Sequence, residues 1–539
     1  MEPSPIRGGK EDNLDNNISI IKSADREKLV LNVQPLKDYK IRVADVYPQI
    51  IASCISLSFV IQAGISMGFS AILLPQLTDP DENFIVTTNE ASWIASLVAI
   101  GTPVGSLICG PLMDFFGRKK FSLICCVPNI IAWMLIVLTP NSVWMLYIGR
   151  LLGGLSGGMS TVTGVYVTEI AHQQYRPMLL GLNSVFVSFG IFLTTVLGTY
   201  FHWRTVSVCC ACFMLLTFFL TLFINPESPV WLVKFNQNNY QCIEQAKKEL
   251  SWLNPNKEVF MSEWEKLISY QCGADIQKNN NRKCCHNLNE TLTAFSNASA
   301  LKPMIILIVL FLLQQLSGPY PIIFYAVQLF QSMESTLNEY TALEILGTLR
   351  LLMSIVSLLL SGVFGRRTLL IFSSICMVLS SLATAMISSQ HFTRLANVTT
   401  QNISNHITST HLNASLSMSA TNINTNLTLP SWVGVLCIIL FVGGSSIGVL
   451  TLPWCLTGEL LPTPLRGVGS GVLVSYAYIL LFLVVKYFPC ALLYLKVSGL
   501  FYSFSLISFI LAVFIYFFLP ETLGKSLEDI ENYFLKQKR

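Results

Sequence analysis

Long apolar runs separated by short polar connections dominate the chain. A helix needs about 20 mostly apolar residues to cross a bilayer. Twelve runs approach that length, six near 48–73, 92–113, 121–139, 143–167, 178–200 and 205–224, and six near 303–329, 341–362, 368–389, 431–455, 467–488 and 491–519. Backbone groups in hydrocarbon must bond within their own segment, so these runs are expected to be helices. The predicted fold class is an all-α membrane protein with twelve transmembrane helices.

Short motifs between the runs repeat in register. Gly117-Arg118-Lys119-Lys120 follows the second run, and Gly365-Arg366-Arg367 follows the eighth. Glu169 and Arg176 bracket the connection after the fourth run, and Glu459 and Arg466 follow the tenth with the same spacing. Pro226-Glu227-Ser228 ends the sixth run, and Pro520-Glu521-Thr522 ends the twelfth. The first pair of motifs is offset less than the later ones, by about the length of a polar insertion at 390–430. The chain therefore divides into an N-terminal segment 1–47, a six-helix bundle 48–224, a linker with short helices 225–302, a second bundle 303–519 and a tail 520–539. Two parallel six-helix pseudo-repeats resemble the layout of major facilitator transporters.

Composition agrees with lipid as the main solvent. Of 539 residues 52% are hydrophobic and 12% charged, against about 25% charged in soluble domains. Basic residues sit in short clusters rather than in one stripe, which argues against a nucleic-acid partner. The segment before the first run is polar, so no cleavable signal is expected and the first span serves as its own insertion signal. Most of the 15 cysteines lie inside apolar runs, so a disulfide framework is not expected. Cys284-Cys285-His286 has no second ligand cluster nearby and reads as a reduced loop rather than a metal site. Gly524-Lys525-Ser526 lacks the earlier glycine of a phosphate-binding loop, so no nucleotide or other cofactor is expected.

Charge sets the expected orientation. The connections carrying Arg118-Lys119-Lys120, Arg176, Arg366-Arg367 and Arg466 are basic, as is the end of the tail. The first connection holds Asp79, Asp81, Glu82 and Glu90 without Lys or Arg. Arg204, Arg394, Lys486 and Lys496 are exceptions to the pattern. By the positive-inside rule both termini face the cytoplasm, in a multi-pass protein of the plasma membrane. The 390–430 segment carries glycosylation sequons at Asn397, Asn402, Asn413 and Asn426 and too little apolar content for a core, so it reads as an external glycosylated loop.

The repeated acids and arginines suggest a gate. Arg118 with Glu169, and Arg366 or Arg367 with Glu459, are expected to pair at the inner mouth and lock the halves when that side is closed; Asp114, Arg176 and Arg466 join this set. The bland alternative is ordinary positive-inside decoration. Glycines at 149, 153, 154, 157 and 158 let helix backbones approach closely, and Pro453 can hinge the tenth span.

Polar side chains inside the spans mark the candidate site. Gln314-Gln315 in the seventh span supplies amides that donate and accept, suited to sugar hydroxyls, or else glue between helices. Trp454 supplies an aromatic face, or else core. Arg350 sits mid-span, either as a substrate partner or in a structural ion pair, with Glu344 the nearest acid.

As a set the motifs resemble the sugar porter family of major facilitators: Asp114-Phe-Phe-Gly117-Arg118, Gly149-Arg150, Tyr166-Val-Thr-Glu169, Pro226-Glu227-Ser228-Pro229, Gln314-Gln315-Leu-Ser-Gly318, Pro453-Trp454, and Pro520-Glu521-Thr522. The resemblance covers about 45–535 and lies nearest the facilitated trehalose and hexose transporters. It implies a central sugar site, at Gln314, Gln315 and Trp454 with the positions of Ser184, Tyr320 and Arg350, and rocking alternating access. The family often has Gln at Ser184, Asn at Tyr320 and Arg350, Glu at Ser446 and Asn at Ala477; Gly362 and Val230 also depart from its pattern. Family symporters carry Asp where Ser70 stands, and no acid lies in 48–73, so downhill uniport by a monomer is expected. The open alternatives are a carrier of another polar or anionic solute using Arg350, and a transport-inactive sugar sensor. An enzyme is not expected.

Overall fold

The structure is a computed structural model that describes residues 42–79, 85–140, 142–235, 240–280, 298–333, 336–409, 430, 432–461, 466–523 and 533–534. Among the described residues, ten helical stretches are long and apolar enough to cross a bilayer. One of them, Gly469–Phe518, holds two crossings that meet at Lys496, whose backbone is non-helical (φ 56°, ψ 177°). One further crossing is assembled from Val143–Met159 and Thr161–Ile170, divided at Ser160. The twelve crossings are therefore span 1 Val43–Leu77, span 2 Thr88–Phe116, span 3 Arg118–Val137, span 4 as just given, span 5 Arg176–Tyr200, span 6 Trp203–Phe223, span 7 Ala298–Gln331 in three pieces, span 8 Glu339–Leu360, span 9 from Arg366, span 10 Trp432–Leu460 in two pieces, and spans 11 and 12 on either side of Lys496. Large apolar side chains such as Leu107, Leu216, Leu359, Leu379 and Phe509 point outward and need lipid. The chain is a multi-pass membrane protein.

Spans 7 and 10 are broken, and their breaks satisfy each other. Gly318 adopts φ 98°, a left-handed conformation that glycine takes without a Cβ penalty, and stops the first helix of span 7 after Leu316. Pro453 has no N–H, so it cannot bond the carbonyl one turn earlier, at Val449. Gln314 Nε2 donates to that Val449 carbonyl at 2.6 Å. Ser357 Oγ donates to the Ile447 carbonyl at 2.6 Å, and Ser373 Oγ accepts from the Val449 N–H at 3.1 Å. Irregular backbone at membrane depth is tolerated because neighbouring helices supply these partners.

Burial ranks the helices. The apolar window of span 1 is 67% buried and that of span 10 is 72%, whereas spans 5 and 8 reach 33% each, so spans 1 and 10 are the more central. Glycine brings backbones together within the first half. A Cβ on Gly154 would lie 2.2 Å from the Val98 carbonyl oxygen, and one on Gly105 would lie 2.0 Å from that of Leu155, so spans 2 and 4 meet backbone to backbone. The two halves touch along two seams. Spans 5 and 8 meet at Gly347 against Thr195 and at Gly181 against Leu358. Spans 2 and 11 meet where the Ser106 and Ser475 hydroxyls are 3.3 Å apart, and where Lys486 Nζ donates to Ser92 Oγ at 2.8 Å and Asn89 Oδ1 at 3.0 Å over the Trp93 ring.

The linker forms helices Pro229–Phe235, Tyr240–Leu253 and Lys257–Asn280, and its described part rests on the first half. Leu253 is buried with Ala52, Tyr166 and Ile170. Gln49 Nε2 donates to Asn254 Oδ1, and Gln49 Oε1 accepts from the His172 N–H, both at 2.8 Å.

Two expectations about the backbone need correction. The insertion after span 9 does not begin as loop: the helix runs on to Ser409, because no Gly or Pro interrupts the stretch from Gln390 and a polar helix needs no core partner outside lipid. The reversal between spans 11 and 12 falls at Lys496 rather than near 490, and Pro489 stays inside the helix.

Candidate functional site

Both halves carry the same charged assembly at one end. After span 2 the chain turns at Gly117, and Glu227 accepts the N–H groups that start span 3, from Arg118 at 2.8 Å and Lys119 at 3.0 Å. After span 8 it turns at Gly365, and Glu521 accepts the N–H groups that start span 9, from Arg366 at 2.8 Å and Arg367 at 3.2 Å. Each carboxylate thus fills the donor-rich N-terminus of a helix. Burial nevertheless pushes the Glu227 carboxyl up, against the pull of those backbone donors. Gly117 adopts φ 93°, which favours glycine, and a Cβ would sit 2.7 Å from Glu227 Oε2 there and 2.0 Å from Glu521 Oε2 at Gly365, so a side chain at either turn would push the carboxylate from its place.

The arginine side chains repeat as well. Arg118 Nη1 donates to the Met113 carbonyl at 3.1 Å, and Arg366 Nη1 to the Ser361 carbonyl at 2.7 Å. Arg118 grips Glu169 through Nε and Nη2, at 2.9 and 2.7 Å. Arg366 holds Glu459 Oε1 through the same two nitrogens, at 3.2 and 2.9 Å. The acids are held from behind by Ser228 Oγ on Glu169 and Thr522 Oγ1 on Glu459. Asp114 adds a third acceptor to Arg118 at 3.0 Å; Gly362 stands at the equivalent point of the second half.

This geometry corrects the gate as first drawn. Arg118 and Glu169 both belong to the first half, and Arg366 and Glu459 both to the second, so the pairs staple helices within a half instead of bridging the two. Arg367 does not reach Glu459: its Nη2 donates to the Tyr516 carbonyl, and its guanidinium lies 5.3 Å from the Tyr516 ring. Arg176 turns back onto the Ala171 carbonyl at 3.1 Å, because it opens span 5 just after that loop. The Arg466 side chain lies outside the described residues, as do the side chains of Asn397 and Asn402 and the whole of Asn413 and Asn426.

At mid-depth the spans hold buried polar groups that the protein does not satisfy. Gln315 is fully buried, and neither amide atom has a hydrogen-bond partner among the described residues. Gln314 is also fully buried; its Nε2 is committed to Val449, and its Oε1 is unpartnered. The adjacent amides therefore differ: the first is glue for the broken span 10, the second is uncommitted. Gln62 in span 1 is 2% exposed with both amide atoms unpartnered. It escaped the motif reading, although an amide in an apolar run was the signal that marked Gln314 and Gln315.

An aromatic wall stands beside the span 7 amides. Trp454 is half-buried; its ring lies 5.0 Å from Phe311 and 5.6 Å from Tyr478, and its Nε1 donates to the Tyr320 hydroxyl at 3.2 Å. Pro453, one residue earlier, opens the second helix of span 10 and so aims Trp454. Arg350 is 4% exposed and forms no ion pair with Glu344 or any other acid among the described residues. Ser184 is half-buried on span 5 without a side-chain hydrogen bond among the described residues. Arg150, a second arginine at membrane depth, is treated differently: Nε donates to the Ile94 carbonyl and Nη1 to that of Ser66, each at 3.0 Å, and Nη2 bonds Ser70 Oγ.

Comparison with known proteins places this architecture. The family described as "Sugar (and other) transporter" matches residues 51–534. Facilitated trehalose transporter Tret1 of Polypedilum vanderplanki is 28% identical over 92% of this chain and 89% of its own length. Tret1 of Drosophila grimshawi is 30% identical over 92% of this chain and 48% of its own length, and Tret1 of Drosophila virilis is 28% identical over 92% and 49%. The chain thus spans about half the length of the fly relatives. Among solved structures, the inward open xylose transporter XylE from E. coli superposes with a TM-score of 0.66 at 17% identity, covering 89% of this chain and 98% of that one. XylE bound to 6-bromo-6-deoxy-D-glucose gives 0.65 at 18%, covering 92% and 100%. These similarities show a shared major facilitator fold of twelve helices. With nine-tenths of its length matched, two repeated six-helix halves and the same charged turns in each, the chain belongs to the sugar (and other) transporter family.

Proposed function

We propose that this chain is a facilitative sugar carrier, a uniporter for trehalose or a hexose such as glucose, working by alternating exposure of one midplane site. The observation that carries the reading is the group of buried, unpartnered amides, Gln62 and Gln315, with the Phe311, Tyr320, Trp454 and Tyr478 wall beside the span 7 pair. A buried amide without a partner is costly. A polyhydroxylated solute supplies donors and acceptors together, and its C–H face suits an aromatic ring. The names of the relatives support trehalose, and the bound glucose derivative of the XylE structure supports a hexose.

Alternating exposure fits the packing. At the Lys486 end the second part of span 7, Pro319–Phe324, is wholly buried and lies against span 1. Towards the other end a Cβ on Gly164 of span 4 or Gly458 of span 10 would meet nothing within 4 Å. The Arg118 and Arg366 assemblies then keep each half rigid as it rocks. The first helix holds one acid, Asp45 in its opening turn, and Arg150 bonds the Ser70 hydroxyl rather than a carboxylate, which supports uniport over proton coupling. On this reading the protein is a monomer of the plasma membrane; Lys and Arg in the even-numbered connections support its cytoplasmic termini, and glycosylation belongs on the opposite side, at Asn397, Asn402, Asn413 and Asn426.

Uptake of labelled trehalose and glucose into sealed vesicles bearing the protein tests this. The expected result is saturable entry that stops at equal concentrations inside and out, with a plateau unmoved by an imposed pH gradient. Accumulation above the external concentration would overturn uniport, and no entry of either sugar would overturn the sugar reading.

A further inference from the structure

Among the described residues, Arg350 is the one buried cation of the second half that the charged end assembly leaves out. It sits on the inward face of span 8, with Leu346, Gly347, Ser354 and Ser357, all buried. Its Nε and Nη1 have no hydrogen-bond partner among the described residues. Arg150, also buried, shows the contrast, with Nε, Nη1 and Nη2 all placed on protein oxygens. Glu344 lies nearer the start of the same helix without pairing, and Glu459 and Glu521 are engaged at the charged end. Arg350 is close enough to Tyr320 for the two to interact electrostatically, and Tyr320 is the residue whose hydroxyl accepts from Trp454. The uncommitted fork is thus linked electrostatically to the aromatic wall of the site.

We propose that Arg350 is the anion-binding arm of the sugar site, so that the carrier accepts a sugar bearing a carboxylate, a uronate or an aldonate, in preference to its neutral counterpart. The proposal rests on the sugar-carrier reading above. A guanidinium presents parallel N–H donors that match a carboxylate, and in a water-poor site such charge-assisted bonds are stronger than those of a neutral amide. The carboxylate neutralises the buried charge, while Gln315 and the Trp454 wall take the hydroxyls and the ring. An ammonium keeps the charge but loses the planar fork.

Competition separates the possibilities. Uptake of labelled glucose into vesicles is measured against glucuronate, against glucuronamide, its neutral isostere, and against chloride, in the native protein and in Arg350→Asn and Arg350→Lys. Thermal stability in detergent is recorded with each addition. The expected result is that glucuronate inhibits at a concentration about tenfold or more below glucuronamide. In Arg350→Asn the ratio of acid to amide inhibition falls to about one, and in Arg350→Lys part of the preference remains. Glucose uptake with equal inhibition by acid and amide in the native protein overturns the anion arm and leaves the carrier reading standing. Inhibition by chloride equal to that by glucuronate overturns the sugar-acid assignment in favour of a free-anion site. If no sugar enters, but glucuronate raises the melting temperature of the native protein and not of Arg350→Asn, the carrier reading fails and the arm stands. If Arg350→Asn does not fold, the acid-to-amide ratio in Arg350→Lys decides: an unchanged ratio overturns the proposal.

Discussion

Arg118 is 4% exposed and divides its guanidinium among Glu169, Asp114 and the Met113 carbonyl. Glu169 has only 14% of its side chain exposed, while Asp114 has 44%. Solvent already screens the second contact, so the first matters more. Arg118→Ala leaves Glu169 buried without its counter-charge, and is expected to destabilise by about 3–5 kcal/mol, read as a lower melting temperature in detergent. Asp114→Asn is expected to change the melting point little. The two adjacent amides of span 7 give a sharper contrast. Gln315→Ala removes no protein hydrogen bond, so stability is expected to hold while the KM for the sugar rises about tenfold. Gln314→Ala strands the Val449 carbonyl, so it is expected to lower the melting point itself. That both glutamines are special was legible, because two amides in an apolar run demand a reason. Their different tasks were not, because they depend on the carbonyl that Pro453 frees in a helix far along the chain.

The helices themselves follow from run length and the ban on unpaired backbone in lipid, and their ends follow from glycine, proline and charge. What escaped the pattern are the features set by tertiary packing: Ser160 dividing span 4, the span 10 break held by Ser357 and Ser373, and the reversal at Lys496. Lys486 belongs to this class too. Read along the chain it is a stray cation on the wrong side of the positive-inside pattern; in three dimensions it ties span 11 to Asn89, Ser92 and the Trp93 ring of span 2. Lys486→Ala is expected to loosen contact between the halves at that end, seen as a longer and broader distance between spin labels placed on the outer ends of spans 2 and 11. An unchanged distribution would show that the contact holds nothing. The linker helices dock through a second such contact, where His172 Nε2 lies 3.7 Å from Glu263 Oε1. Burial pulls the imidazole below its ordinary value; Glu263 opposes that shift, and Lys266 and Arg176 add to it. The docked form therefore favours the neutral ring. Its contribution is intact above the usual histidine value of about 6.5 and is lost as pH falls through the lowered one. Hydrogen exchange of the 257–268 segment, corrected for intrinsic rates, is expected to speed up on acidification in the native protein, and to do so less in His172→Gln.

At the scale of the whole molecule the two halves repeat one design: a carboxylate fills a helix N-terminus behind a glycine turn, and an arginine beside it binds an acid at the far end of the next span. Repetition in register marked the arginines and the acids they bind; the role of Glu227 and Glu521 at the helix N-termini was not legible, because it depends on which distant turn each carboxylate meets. The placement of each ion pair within one half was not visible, because charge order along a chain does not say which helices are neighbours. On the proposed function, stapled halves, seams along spans 5–8 and 2–11, and the buried amides beside the aromatic wall belong to a carrier whose halves move as bodies. Counterflow tests that claim most directly. Vesicles bearing the protein are loaded with unlabelled hexose, and a trace of labelled hexose is added outside. A carrier with one alternately exposed site is expected to draw label inward to a transient level above its final equilibrium, because returning sites come back loaded. Label that rises only to equilibrium, without an overshoot at any loading concentration, would contradict the account.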